Sequence, residues 1–183
     1  MRDSAPEPIM IPAWIDGKLT PAEKLAVHQQ GLKHKAVSVF VMNHGRVLLQ
    51  QRAMSKYHTP GLWANTCCTH PEWDEDPGDC AIRRLNEELG ITGLYPAHRD
   101  QVEYRAHVGG GLTEHEVVEL YTAEAPDNLF INPNPDEVMA TRWIDYYDLI
   151  AEVNRRPYEF TPWLRIYLSE HRSVIFGDLM ASR

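Results

Sequence analysis

The chain has no long hydrophobic run: no apolar stretch approaches the ~20 residues that cross a bilayer as a helix. Cysteine is scarce, three residues in 183, and with two of them adjacent at Cys67 and Cys68 there is no disulfide framework. The first residues lack the basic region and apolar segment of a secretory signal. A reducing cytoplasm is therefore the expected compartment, and it would keep the thiols free. Positive charge is also in deficit. Twenty-six acidic against 18 basic side chains give a formal charge of −8, which argues against nucleic-acid binding. An anionic small molecule stays open as a partner, because a few local Arg and Lys outweigh the global sign. Repeats and low-complexity segments are absent. What remains, 43% hydrophobic and 24% charged, is ordinary for a globular fold. The length suits one domain over residues 1–183, with polar, proline-bearing residues 1–8 as a loose leader.

The pattern mixes strands and helices without regular alternation. Ala36–Met42 is β-branched and apolar, a strand, and Asn43-His44-Gly45 turns it into a second strand, Arg46–Gln51. Thr20-Pro21-Ala22-Glu23 has the form of a helix start with proline at the first position. A helix is expected from about Asp79 to Leu89, with Gly90 closing it and Ala81, Ile82, Leu85 and Leu89 on its apolar side. That spacing puts Arg84 and Glu88 on a common face. Further strands are predicted near 101–108, 116–123 and 140–144, with Gly109-Gly110-Gly111 as a turn between the first two. Helices are predicted over 146–154 and, with Thr161 as N-cap and Pro162 at N1, from there to Glu170. The fold class is α+β, a mixed sheet flanked by helices.

Three features carry chemistry. Asn65-Thr66-Cys67-Cys68-Thr69-His70-Pro71 places a thiol two residues before an imidazole, so on an extended strand Cys68 and His70 face one way. Alone, these cysteines are better explained as small buried hydrophobes, and it is the two features that follow that reverse this preference. Glu114 and Glu116 share a strand face from which His115 is excluded, and with His28, His34 and His70 they form a candidate set for Zn²⁺, Mn²⁺ or Mg²⁺. Spacing alone does not single out these imidazoles among nine. The sharpest feature is Arg83-Arg84-Leu85-Asn86-Glu87-Glu88-Leu89-Gly90-Ile91. It resembles the second half of the Nudix box, with Arg84 where the first carboxylate is expected and with Thr69 and Glu75 at the upstream Gly and Glu positions. An arginine there suggests holding phosphates rather than cleaving them; an ordinary amphipathic helix with a charged outer face is the less favoured alternative.

Taken with Leu48–Arg52, Pro60-Gly61-Leu62-Trp63, Tyr104-Arg105-Ala106 and Thr161-Pro162-Trp163, these segments resemble the type I isopentenyl diphosphate isomerases, a family of Nudix fold. The match runs from Lys24 to Trp163 and departs at Thr69 and Val37, where a Gly or Ser and an aromatic are expected. The resemblance implies a Nudix-like mixed sheet and the interconversion of isopentenyl and dimethylallyl diphosphate in isoprenoid biosynthesis. It implies Cys68 as catalytic thiol, Glu116 as essential carboxylate with Tyr104 beside it, and Trp163 facing the positive charge. It places one divalent ion on His28, His34, His70, Glu114 and Glu116. A Mg²⁺ is implied between the diphosphate, Glu88 and the Cys68 carbonyl, and diphosphate contacts at Lys24, Arg52, Lys56 and Arg84. For these four, surface salt bridges are the competing explanation. Two rival functions stand beside the isomerase: a Nudix pyrophosphohydrolase and a non-catalytic module that needs metal to fold.

Overall fold

A computed structural model of the chain describes residues 8–180, so all but the last residue of the expected leader lies outside the described residues. The centre of the fold is β3 (His34–Asn43), whose alternation divides it cleanly. Val37, Val39 and Val41 point to one face and Ala36, Phe40 and Met42 to the other, each set packing into its own core. A turn with positive φ at His44 and Gly45 leads into β4 (Arg46–Arg52). Two antiparallel strands precede β3: β1 (Met10–Ile15) and β2 (Lys18–Glu23). After β4 come two short strands, β5 (Trp63–Ala64) and β6 (Cys67–Thr69), and then a long hairpin, β7 (Ala97–Gly109) and β8 (Leu112–Glu124). The last strand, β9 (Val138–Asp145), pairs antiparallel with β4.

Along one edge of β3 runs β8, in parallel, from His34↔Glu116 to Met42↔Glu124. On the other edge β6 pairs antiparallel, with Ser38 opposite Cys68. Helix α2 (Pro77–Leu89) covers the valine face, and α3 (Tyr146–Arg155), α4 (Pro162–Glu170) and α5 (Arg172–Met180) cover the phenylalanine face. This is the α+β arrangement expected, a mixed sheet with helices on both faces. Asp76 caps α2, its Oδ1 accepting from Gly78 N at 2.8 Å, which contributes about 1 kcal/mol. Gly90 ends the helix with φ +63°; a Cβ there would lie 2.8 Å from the Asn132 carbonyl oxygen, so only glycine fits.

Three expectations need correction. Thr20–Glu23 is strand, not helix: it pairs residue for residue with β1 on the sheet edge, where proline is tolerated, and Pro21 sits opposite Pro12. The helix, α1 (Lys24–Gln30), starts one residue later, with the Glu23 carboxylate accepting from Leu25 N and Ala26 N. Thr161 precedes α4 but its hydroxyl makes no capping bond, and a further helix, α5, follows Glu170. Ile82, placed on the apolar side of α2, is 37% exposed, because the helix face that meets the sheet is narrower than its apolar stripe.

Candidate active site

The register of three strands assembles the centre. His34 on β3 lies opposite Glu116 on β8, and Glu116 lies opposite Tyr104 on β7, so one row across the sheet carries all three. Glu114, two residues earlier on β8, projects to the same face. His28 comes from α1, where its Nδ1 donates to the Lys24 carbonyl at 2.6 Å, and His34 Nδ1 donates to the Leu32 carbonyl at 2.8 Å. A carbonyl only accepts, so in the neutral rings the proton sits on Nδ1 and Nε2 is bare. Both bare nitrogens approach Glu114 Oε2, at 3.0 Å from His28 and 3.3 Å from His34. His70, just past β6, brings its Nε2 to 3.2 Å from His34 Nε2 and 3.0 Å from Glu116 Oε1.

Lone pairs converging on a carboxylate in a buried pocket repel one another unless a cation lies among them. The electrostatics agree. Burial alone would lower the His34 imidazolium, yet the hydrogen bonds it donates to Glu114 and Glu116 raise it to about 10. Burial works to raise Glu114 too, and the four imidazoles around it nevertheless hold it well below the usual carboxylate range. The pocket thus draws in a positive charge. Ligand atoms of His28, His34, His70 and Glu114 all lie within 4.8 Å of one another, a set that can hold a divalent metal ion. Glu116 lies outside that tightest group and borders it through His70 and His34, 3.7 Å from the latter.

A small cavity of about 30 Å³ adjoins this pocket and is lined by Cys68, Tyr104, Glu114, Glu116 and Trp163. Cys68 Sγ donates to Asn65 Oδ1 at 2.8 Å and lies 3.2 Å from Ser38 Oγ, which in turn is 2.8 Å from the Tyr167 hydroxyl. Burial pushes the Cys68 thiol far up, so it is protonated in this state. In the same cavity the Tyr104 hydroxyl donates to Glu116 Oε2 at 2.6 Å. Burial and the neighbouring Glu114 oppose ionisation of Glu116, but His34 and His70 still lower it.

The mouth of the same cavity is cationic, lined by Lys24, Arg52, Lys56 and Arg84 together with Glu88. Arg84 donates to Glu88 at 2.7 Å and to Glu87 at 2.8 Å, and Lys56 pairs with Glu137. Glu88 is buried and also accepts from Gln50 Nε2 at 2.8 Å. Among the described residues Arg52 makes no carboxylate pair: one guanidinium nitrogen donates to the His58 carbonyl at 3.2 Å, its carbon lies 5.3 Å from the Trp163 ring centre, and its buried Nε has no partner. A buried guanidinium with an unspent donor is a ready anion contact.

Sequence reasoning missed several residues at this site. His58, buried against Glu114, sits in a loop with no periodicity. Ser38 was findable, as the single hydroxyl in an apolar strand. Tyr167, Gln50 and Glu137 reach the site through tertiary contacts that no local pattern announces.

The NUDIX domain model matches residues 32–164. Among curated proteins, the isopentenyl-diphosphate Delta-isomerase of Dinoroseobacter shibae is 66% identical over 173 residues, 94% of this chain and 98% of that one. The protein of the same name from Ruegeria pomeroyi is 60% identical over 175 residues, 95% and 97% of the two chains. The chain belongs to the isopentenyl-diphosphate Delta-isomerases of the Nudix family. The fold extends to more distant Nudix hydrolases: a MutT hydrolase from Burkholderia pseudomallei superposes with a TM-score of 0.59 at 24% identity, covering 75% of this chain and 97% of that one. A hydrolase from M. smegmatis covers 94% of both chains with a TM-score of 0.55 at 19% identity. These hydrolases share the scaffold, whereas the isomerase relatives match nearly end to end.

Proposed function

We propose that this cavity interconverts isopentenyl and dimethylallyl diphosphate by moving one proton onto the alkene and another off it. The observation that carries the reading is the placement of two proton carriers, Cys68 and Glu116, in one cavity whose mouth is cationic. They reach it from strands on opposite edges of β3. An allylic transposition needs an acid and a base on opposite sides of the substrate.

In the isopentenyl to dimethylallyl direction Glu116, hydrogen-bonded to Tyr104, delivers a proton to C4 and Cys68 removes one from C2. In the other direction the roles exchange. The ligand-free electrostatics, a protonated thiol facing an ionised carboxylate, correspond to the state left after the first of these and ready for the second. Trp163, 2% exposed, turns its ring to a cavity already holding the Arg52 guanidinium, and a desolvated ring stabilises cationic charge by ~2 kcal/mol. Lys24, Arg52, Lys56 and Arg84 take the diphosphate; its oxygens replace Glu87, Glu88 and Glu137 as partners of the mobile cations.

His28, His34, His70, Glu114 and Glu116 would hold one divalent ion, Zn²⁺, Mn²⁺ or Mg²⁺, and Glu88 with the Cys68 carbonyl a Mg²⁺ on the diphosphate. When bound, these ions supply positive charge that orients Glu116 and neutralises the phosphates. One domain over residues 1–183 and a cytoplasmic setting complete the proposal. Proton NMR of the protein with isopentenyl diphosphate and Mg²⁺ in D₂O tests it: formation of dimethylallyl diphosphate with deuterium incorporation is expected. An intact substrate under reducing conditions, or release of phosphate, would overturn the reading.

A further inference from the structure

Each carboxylate of the metal pocket uses its two oxygens differently. Glu116 turns Oε1 to His70 and His34 and receives the Tyr104 hydroxyl on Oε2. Glu114 turns Oε2 to His28 and His34, and its other oxygen, Oε1, lies 3.0 Å from His58 Nε2. His58 is 6% exposed and stands outside the group of mutually close ligand atoms. Its tautomer is dictated by its partners. Glu114 only accepts, so Nε2 carries the proton; Nδ1 is then bare and takes the hydroxyl of Thr59, 3.1 Å away. Thr59 adopts φ +47°, a left-handed backbone that is costly for a β-branched residue and persists only where the surroundings enforce it. Those surroundings are visible: Arg52 binds the His58 carbonyl, the His58 ring stacks on His28 with centroids 5.7 Å apart, and its edge meets Trp163.

We propose that His58 is a positioning residue of the metal centre, its Nε2–H fixing Glu114 by the oxygen turned away from the other imidazoles as Tyr104 fixes Glu116, with Thr59 setting the His58 tautomer. The inference rests on the reading of the cluster as a divalent-metal site. Hydrogen bonds behind a ligating carboxylate keep it aimed, and their loss typically weakens metal binding 10–100-fold.

The test is a competition titration of Zn²⁺ into metal-stripped protein, read as the dissociation constant. H58A is expected to weaken binding by roughly 10–100-fold. H58Q, whose amide N–H can replace the lost donor, is expected to restore affinity to within about threefold of the parent, a difference of ~0.7 kcal/mol. Equal affinity of H58A and parent overturns the proposal while leaving the metal site standing. A loss in H58Q as deep as in H58A also overturns it, since the imidazole itself would then be the ligand. If H58A does not fold, T59V carries the test. It is expected to lose about threefold or more, roughly the weight of one modest hydrogen bond, and parent-like binding there overturns the proposal. A parent that takes up no Zn²⁺, Mn²⁺ or Mg²⁺ brings down the metal reading itself.

Discussion

The two halves of the cavity are built on opposite principles. In the imidazole–carboxylate pocket no side chain is more than 9% exposed and two imidazoles are fixed by backbone: side chains of His28 and His34 are 0% exposed, held by carbonyls. At the mouth, Lys56 and Arg84 keep side-chain exposures of 20% and 18% and share the partly exposed Glu137, while Arg84 also pairs with the buried Glu88. The pocket presents a constellation of donor atoms that can hold a cation. The mouth presents two cations already paired, Lys56 and Arg84, whose partners an incoming polyanion can exchange, beside Arg52 with its unspent donor. Rigid convergence suits an ion that stays, and exchangeable pairs suit a substrate that must leave.

The largest effects are expected where the two halves meet. C68A and E116Q should each lower turnover by roughly a thousandfold or more while preserving the circular dichroism of the parent, because each removes one of two proton carriers. Turnover within tenfold of the parent in either variant would dismiss the assignment of roles. Next comes the pocket alone. A metal ion at a hundred times its dissociation constant should stabilise the protein by about 2.7 kcal/mol, seen as a rise in melting temperature. If the halves are as independent as their contacts suggest, R84A keeps that rise in full; a lost rise would show that the mouth helps to build the pocket.

R84A tests the mouth directly. Losing a charge-assisted contact should raise KM for the diphosphate roughly 10–100-fold, with a smaller change in kcat. An unchanged KM would assign Arg84 to its pairs with Glu87, Glu88 and Glu137 instead.

Legibility followed the same division. Strands and helices with strong local signals, β3 with its alternation and α2 with its capping glycine, were read within a few residues of their bounds. The pocket residues on β8 were readable because two positions apart on a strand means one face. Thr20–Glu23 misled because its proline has the look of a helix start, while the pairing that makes it a strand lies with residues 10–15. His58 was illegible for a deeper reason. Its value comes from a loop delivering it across to β8, and no spacing in the sequence encodes that meeting. The mouth's acidic partners, Glu137 above all, were hidden likewise: 81 residues separate it from Lys56.

The smallest effect, and the finest probe of the mouth, is the charge of Lys24. Burial lowers its ammonium to about 8, helped by the nearby positive charges of Lys56 and Arg84 and opposed by Glu114 and Glu88. In the free protein Lys24 is therefore charged below that pH and increasingly neutral above it. A bound diphosphate restores the proton, so binding above pH 8 must take one up, and affinity falls as pH rises. One linked proton sets the limit at about tenfold per pH unit. The measurement is the dissociation constant of inorganic pyrophosphate from pH 7 to 9. The parent should weaken more steeply than K24R, in which the guanidinium stays charged throughout, and titration of pyrophosphate itself cancels in the comparison. Parallel slopes would mean that Lys24 is charged across this range or stands apart from the anion. A steeper parent slope would show that Lys24 gives up its proton in this range, its ammonium lowered by burial first and by the neighbouring cations second.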